Sequence, residues 1–291
     1  MDADSSSIAP AALSNQILEE ARGRTVMVIG AAGMGKSMLA RSLVAQLASQ
    51  AGPVALLSAD VGQQHLGVPT CLGLALSEPW QQPAAMWFVG SISPGGNLLP
   101  TAVGTARLAQ RARAEGTQTI VIDTTGLIDP PAGGVLKYHK ALAAGVGCIV
   151  AIQRGDELEP MLTLLSGICP RVHRLPPGPE ARDRDAAERK AYRQQRYEAH
   201  FANGKVVPFP SASLIPPSWT MQPSESGQYP PPGTVVGLLD QEGFCLGLGI
   251  IEEVQPDWLA VYTAWKRVKA VVRVRAGKMR LDRHTGFGET A

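Results

Sequence analysis

The sequence predicts an α/β fold, a mostly parallel sheet with flanking helices, followed by an arginine-rich helical segment and a small β-rich C-terminal domain. Three observations carry this. Short apolar runs recur with helical segments between them: PVALLSA at 53, AMWFVG at 85, TIVID at 119, CIVAIQ at 148 and RVHRL at 171. That alternation belongs to a parallel sheet covered on both faces. A glycine-rich turn, GAAGMGKS at 30–37, lies between the β-branched run TVMVI and a segment in which Ala40, Leu43, Val44 and Leu47 recur at helical spacing. After residue 176 both patterns stop, and proline, then charge, then a new set of apolar runs take over.

Residues 1–24 form an N-terminal segment with one short helix around Ser14 to Ala21. Its opening, MDADSSSIAPAALSNQ, is acidic and polar where a secretory signal would be basic and then apolar. No apolar run approaches the ~18 residues needed to cross a bilayer. The expected location is therefore the cytoplasm, or the nucleus in a eukaryotic host, with no membrane partner.

Gly30, Gly35, Lys36 and Ser37 satisfy GxxxxGK[ST]. In that motif backbone N–H groups wrap a phosphate, the lysine meets the β and γ oxygens and the hydroxyl ligates Mg²⁺. With a strand before it and a helix after it, the helix N-terminus adds partial positive charge to the anion site. The candidate nucleotide contacts are Gly30, Ala31, Ala32, Gly33, Met34, Gly35, Lys36, Ser37 and Met38, and the sheet is expected to be P-loop NTPase-like. Its ligand belongs at the carboxyl ends of the strands.

Two carboxylates are expected at that edge. Asp60 follows PVALLSA at the strand's end and opens DVGQ, where it can act as a base or a metal partner, and Gln63 supplies an amide nearby. Asp123 closes TIVID, the position of a magnesium-organising acid, so Ser37, Asp60 and Asp123 form the candidate metal set. Either aspartate alone reads equally well as a cap or turn residue. Two of them on neighbouring elements around a phosphate loop favour chemistry.

The segment LPPGPEARDRDAAERKAYRQQRYEAHFANGK enters through prolines and continues as a helix without a broad apolar face. Such a helix is marginal alone and is expected to dock on something else, a ligand included. Arg189, Arg193 and Arg196, spaced four and three, share a face, with Arg184 upstream. Guanidinium forks there suit phosphate oxygens, as a lid supplying an arginine finger. The alternative is a solvated face with Asp185 and Glu188 as partners.

From about 205, VVPFPSASLIPPSW and QPSESGQYPPPG read as proline-rich loops, and TVVGLLD, CLGLGIIEEV, WLAVYTA and KAVVRVRA read as strands. The net charge is only +2, but residues 171–205 hold nine Lys or Arg, 206–265 none, and 266–283 eight against one acid, Asp282. That segregation points either to two basic surfaces facing a polyanion or to solvated faces. Cys71, Cys148, Cys169 and Cys245 are scattered without a CxxC pair, which favours reduced, buried thiols over a metal site or disulfide framework.

The order GAAGMGKS, ADVGQ, VGSISPGGN, VIDTTG and RDRDAAERKAYRQQRYEAHF resembles the polynucleotide 5′-hydroxyl kinases of the Clp/Grc type. The likeness spans roughly residues 25–204, and GLGIIEEV is similar to the C-terminal region of the shorter members. The phosphate loop is generic, whereas DVGQ together with the arginine series is specific. The domains expected are an N-terminal segment at 1–24, a kinase domain at 25–204 with its lid at about 177–204, and a β-rich domain at 205–291.

The resemblance implies transfer of the γ-phosphate of ATP, with Mg²⁺, to the 5′-hydroxyl of RNA, with single-stranded or duplex DNA as a further candidate acceptor. It makes Asp60 the general base, Lys36 and Ser37 the holders of phosphate and metal, and Arg184 and Arg189 the catalytic lid arginines. Arg193 and Arg196 follow as further lid positions. Ser93, Pro94 and Asn97 fall in a loop near substrate, and Gln63 and Thr124 complete the candidate substrate contacts. Where family members commonly carry NTxGW, this chain has DTTGL, so Asp123 replaces asparagine and Leu127 replaces a tryptophan. An aromatic platform of that kind is worth roughly 1–3 kcal/mol per stacked base. Two other classes fit a phosphate loop: an ATP-bound scaffold in RNA processing that does not turn over, and a hydrolysing switch or metallochaperone, which has no use for the arginine segment.

Overall fold

The computed structural model describes residues 14–78, 80, 82–179, 181–216 and 230–290. The part of the N-terminal segment at 1–13, and most of the QPSESGQYPPPG loop, lie outside the described residues.

Ser14 caps α1 (Asn15–Ala21) by accepting the Ile17 N–H. There follow β1 (Thr25–Gly30), α2 (Lys36–Ala51), β2 (Val54–Ala59), β3 (Cys71–Ala75), β4 (Ala85–Phe88), α3 (Leu98–Ala114), β5 (Thr119–Thr124), α4 (Ala132–Ala144), β6 (Val146–Ile152), α5 (Glu159–Ser166) and β7 (Val172–Leu175). The seven strands form one sheet in the order β4-β3-β2-β5-β1-β6-β7. β1 runs parallel to β5 and β6, and β6 parallel to β7, while β3 and β4 pair antiparallel at one end. Every residue of β1, β2 and β5 is buried, as strands covered on both faces require. Among the described residues no helix is long and apolar enough to cross a membrane.

The chain continues with α6 (Ala186–Phe201), β8 (Lys205–Pro210), β9 (Leu214–Ile215), β10 (Thr234–Leu239), β11 (Cys245–Val254), β12 (Trp258–Thr263), β13 (Arg273–Asp282) and β14 (Gly288–Thr290). A second sheet runs β14-β13-β10-β11-β12-β8, with β9 beside β13. Its pairs are antiparallel except β9 with β13.

The proline-rich stretch VVPFP, expected as a loop, is therefore a strand. The reason is its place: β8 is at the sheet edge, and only Val207 and Phe209 turn inward while Pro208 and Pro210 are exposed. Proline lacks the N–H that a central strand must donate, but an edge strand tolerates it. β3, CLGLA, was not among the expected runs either; it is short and interrupted by glycine.

By internal contacts the chain forms two compact units, one made of the residues up to Leu57 with Ala109–Asp183, the other of Ser58–Leu108 with Arg184 onward. Both are discontinuous in sequence, unlike the continuous 25–204 and 205–291 segments expected, because residues 58–108 share their core with the C-terminal sheet. Val68, Cys71, Met86 and Phe88 lie in one apolar cluster with Val235, Leu239, Ile250 and Leu281, and with Tyr197 and Phe201 of α6. The other face of the second sheet has its own cluster, including Val236, Leu259, Val261, Val274 and Ala276. All four cysteines are buried thiols, and burial pushes Cys148 up to about 12.

Helix α6 begins with a capping box: Asp185 accepts the Glu188 N–H and Glu188 accepts the Asp185 N–H. Those acids thus serve the helix start. At its other end the imidazole of His200 accepts the Leu248 N–H at 3.0 Å through Nε2. Burial, with the charge of Arg196 adding, pushes His200 down to about 4. Its unfolded value is about 6.5, so the neutral ring contributes stability that is complete above about pH 6.5 and is lost as pH falls toward 4. The shift corresponds to an upper limit of roughly 3 kcal/mol, because the residue is partly exposed. Urea unfolding between pH 7 and 4.5 should lose up to this much more stability in the wild type than in His200→Gln, and identical pH profiles would exclude the imidazole as the cause.

Candidate functional site

In the first unit the phosphate loop leaves β1 at Gly30 and enters α2 at Lys36. Gly33 and Gly35 both have left-handed backbones, with φ of +73° and +84°. At Gly33 a side chain is excluded twice over, since a Cβ would also fall 2.5 Å from the Asp183 amide nitrogen. The segment 182–183 therefore lies directly on the loop. From the other side Gly126, in VIDTTG, comes so close that a Cβ would be 2.6 Å from the Ala32 nitrogen. Lys36 is 7% exposed and its Nζ donates to the Ala31 carbonyl at 2.6 Å. Met34 is buried, Ala31, Gly35 and Ser37 are partly exposed, and Ala32 and Met38 are exposed.

Asp123, next to last in β5, is buried at 3% exposure. Thr124, expected to meet substrate, is instead wholly enclosed, and its hydroxyl donates to the Val28 carbonyl at 2.8 Å. A buried side chain already committed to β1 cannot reach a ligand, so its role is structural. Leu127 is partly exposed. Behind this turn Lys137 of α4, fully buried, donates to the Thr125 carbonyl at 2.7 Å and lies 3.4 Å from the Thr125 hydroxyl. Nothing in its sequence setting distinguishes this lysine from a solvated one.

In the second unit, Asp60 opens the turn after β2. Its Oδ1 accepts the Gly62 and Gln63 N–H groups at 3.0 and 3.1 Å, an Asx-type turn that fixes the carboxylate and leaves Oδ2 for another partner. Gln63 takes part through its backbone. The neighbouring Gln64, fully buried, donates to the Cys71 carbonyl at 2.8 Å and the Ser58 carbonyl at 3.4 Å, and accepts the Leu66 N–H at 3.0 Å. It is the brace of this loop, and two adjacent glutamines gave no sign of which would be.

The same unit holds the arginines. Arg184 lies with its guanidinium carbon 5.0 Å from the centre of the Tyr192 ring, and its Nη1 is buried without a hydrogen-bond acceptor among the described residues. Tyr192 donates to the Gln64 carbonyl at 3.0 Å and is 3.3 Å from His65 Nδ1. One aromatic thus locates both the arginine and the Asp60 turn. The signal for Tyr192 was an aromatic set among arginines at helical spacing. Arg189 is partly exposed on the first turn of α6.

Arg193 and Arg196 differ from expectation. Arg193, 9% exposed, forms a two-pronged ion pair with Glu289, which also raises its pKa. A guanidinium fork filled by a carboxylate has a structural role in place of the substrate role expected. Arg196 donates through Nη2 to the Gly67 carbonyl, tying α6 to the loop after β2. The helix described as lacking a partner face is thus seated in its own unit.

In the loop before α3, Ser93 is exposed and its hydroxyl accepts the Gly95 N–H at 3.1 Å. Pro94 accepts the Asn97 N–H at 2.9 Å through its carbonyl. Asn97 is 7% exposed, and its Nδ2 donates to the Ser93 and Gly95 carbonyls at 3.2 and 3.1 Å. Asn97 shapes this loop, and Ser93 is the side chain it displays.

The donors expected for Mg²⁺ are all hard oxygens: Ser37 and Asp123 in the first unit and Asp60 in the second. Among the described residues no three His, Cys, Asp or Glu side chains cluster as a metal centre.

A Pyrococcus furiosus protein named polyribonucleotide 5′-hydroxyl-kinase is 26% identical over 325 residues, covering 92% of this chain and 90% of its own. Its Pyrococcus horikoshii namesake is 26% identical over 88% and 86%. A Xenopus tropicalis protein named polyribonucleotide 5′-hydroxyl-kinase Clp1 is 27% identical over 81% of this chain and 54% of its own. The solved structure of a wild-type Clp1p–Pcf11p (454–563) complex superposes with a TM-score of 0.68 at 13% identity, over 91% of this chain and 77% of that one, a likeness of fold. The family model described as the P-loop of mRNA cleavage and polyadenylation factor CLP1 matches residues 30–203, and the chain belongs to that family.

Proposed function

We propose that this protein transfers the γ-phosphate of ATP to the 5′-hydroxyl end of RNA, and to DNA ends as a second acceptor. The observation that carries the proposal is Arg184: a guanidinium stacked on Tyr192, with Nη1 buried and lacking an acceptor, one residue after the segment that lies on Gly33. A buried N–H left without a partner costs free energy, and a transferring phosphate supplies the missing oxygen. A scaffold that does not turn over has no need of that group. The kinase names of the relatives support the same reading.

In this reading the phosphate-loop amides and Lys36 hold the β and γ phosphates, with the ammonium leaving the Ala31 carbonyl for phosphate oxygen. Oδ2 of Asp60 takes the proton of the 5′-hydroxyl as its oxygen attacks the γ-phosphorus. The bond to the β–γ bridging oxygen breaks and ADP departs. Arg184 and Arg189 offset charge on the transferring group. Ser37 and Asp123 are the residues that would hold Mg²⁺, which when bound supplies charge neutralisation at the β and γ oxygens. Phosphoryl transfer asks mainly for positioning and electrostatics, and an Asx-turn carboxylate and a ring-stacked arginine are both held in place before substrate arrives.

The decisive assay is transfer of labelled γ-phosphate from ATP with Mg²⁺ to matched 5′-hydroxyl RNA and DNA oligonucleotides, with Lys36→Ala as the control expected to lose transfer. Asp60→Asn should lower kcat by about 10²–10⁴-fold, the usual worth of a general base, and a variant near wild type would remove Asp60 from that role. Arg184→Ala should cost about 10³-fold or more. Wild-type protein that binds ATP without labelling either oligonucleotide would favour the scaffold.

The loop geometry adds a binding prediction. Gly33→Ala puts a methyl group into the 182–183 backbone at a positive φ, so ATP affinity in titration calorimetry should fall by about tenfold or more, a loss of at least ~1.4 kcal/mol. Unchanged affinity would mean that the segment yields freely.

A further inference from the structure

The mechanism leaves the basic C-terminal stretch unused, and the second unit gives part of it a definite setting. Across the β10–β13 ladder Arg273 faces Leu239 and Arg275 faces Gly237. Their side chains therefore share the face of Leu239, which clusters with Phe88, while Val274 and Ala276 between and beyond them enter the opposite cluster. Arg273 is exposed and Arg275 half-buried. Burial lowers the pKa of Arg275, with no carboxylate opposing it. Further along, the Lys278 N–H donates to the Gly90 carbonyl at 2.8 Å, and its ammonium donates to the Gly96 carbonyl at 3.1 Å. Gly96 belongs to the Ser93–Asn97 loop. Among the described residues none of these three cations forms an ion pair.

We propose that Arg273, Arg275 and Lys278 form a track for the phosphate backbone of a single-stranded RNA, binding the acceptor downstream of an end held at the 93–97 loop. The inference rests on the kinase reading for the identity of that end. Two arginines on one face of a strand stand about 6.6 Å apart, twice the rise per residue, and further along the strand the Lys278 ammonium stands at the loop itself, on the Gly96 carbonyl. Uncompensated cations along one strand, one of them partly desolvated, favour a polyanion. The contacts are to backbone, so the track adds affinity without choosing sequence.

The test measures binding of a long 3′-labelled 5′-hydroxyl oligoribonucleotide to the full chain across a salt series, without requiring transfer. Counterion release contributes a slope of about 0.7 per neutralised phosphate of a single strand. Arg273→Gln with Arg275→Gln and Lys278→Gln should flatten the plot of log K against log salt by about 2 and weaken binding by about tenfold or more. The Arg273→Gln, Arg275→Gln double variant, which keeps the Lys278 tie to the loop, should flatten it by about 1.4. A charge-preserving Arg273→Lys, Arg275→Lys, Lys278→Arg variant should keep the wild-type slope.

Wild-type slope and affinity in the folded double variant would overturn the track and leave the strand as a face for an acidic protein. A wild type that fails to bind the oligonucleotide would overturn it too. Flattened slopes in a protein that phosphorylates no polynucleotide would support the track and refute the kinase reading.

Discussion

The burial of Arg193, Tyr197 and Phe201 along one stripe of α6 is the constraint on which the second unit depends. Spaced by four, they fall on one line of the helix, and that line is all the helix has to bury. A sixteen-residue helix with so much charge would not hold by propensity alone. The two aromatics enter the apolar cluster shared by β3, β4 and the C-terminal sheet, and Arg193 meets Glu289 of β14. Once the helix is fixed, Tyr192 and Arg196 are carried to the Gln64 and Gly67 carbonyls. The position of Arg184 then follows from the ring it rests on. Breaking the Arg193–Glu289 pair from one side would leave a charge in a largely enclosed place, which costs more than the pair itself returns.

The first unit is held by a different logic, close backbone approach. The phosphate loop is flanked by Gly126 on one side and by residues 182–183 on the other, at distances that admit no Cβ. Lys137, an ammonium enclosed within the unit, holds the Thr125 carbonyl immediately before Gly126. The loop is thus shaped by its neighbours before any nucleotide arrives, and preorganised dipoles do not need to be reoriented when charge develops.

Much of this was legible because it is periodic or local. Strands buried on both faces leave unbroken apolar runs, and β1, β2, β5 and β6 fell where such runs stand. The phosphate loop declares itself through its glycines and its lysine. Roles set by distant partners were not legible. Thr124 stands beside Asp123 and shares its motif, yet its hydroxyl belongs to β1. Gln64 and Gln63 are adjacent and similar, and only the carbonyls of Ser58 and Cys71 decide which one is the brace. Arg193 follows the helical arithmetic of the arginine series, and its fate is decided by a glutamate 96 residues away. A pattern reveals which face a side chain takes but not whether an acid of the same chain already waits there.

The prolines of β8 have a further consequence. An outermost strand with unpaired main-chain groups is a template on which another chain can add itself. Here the outermost strand alternates Val207 and Phe209, turned inward, with Pro208 and Pro210, turned outward, and begins at an exposed lysine, Lys205. Two residues in six thus have no amide hydrogen to offer an incoming strand. The feature that hid this strand from pattern reading is also what guards the sheet's margin against self-templated assembly.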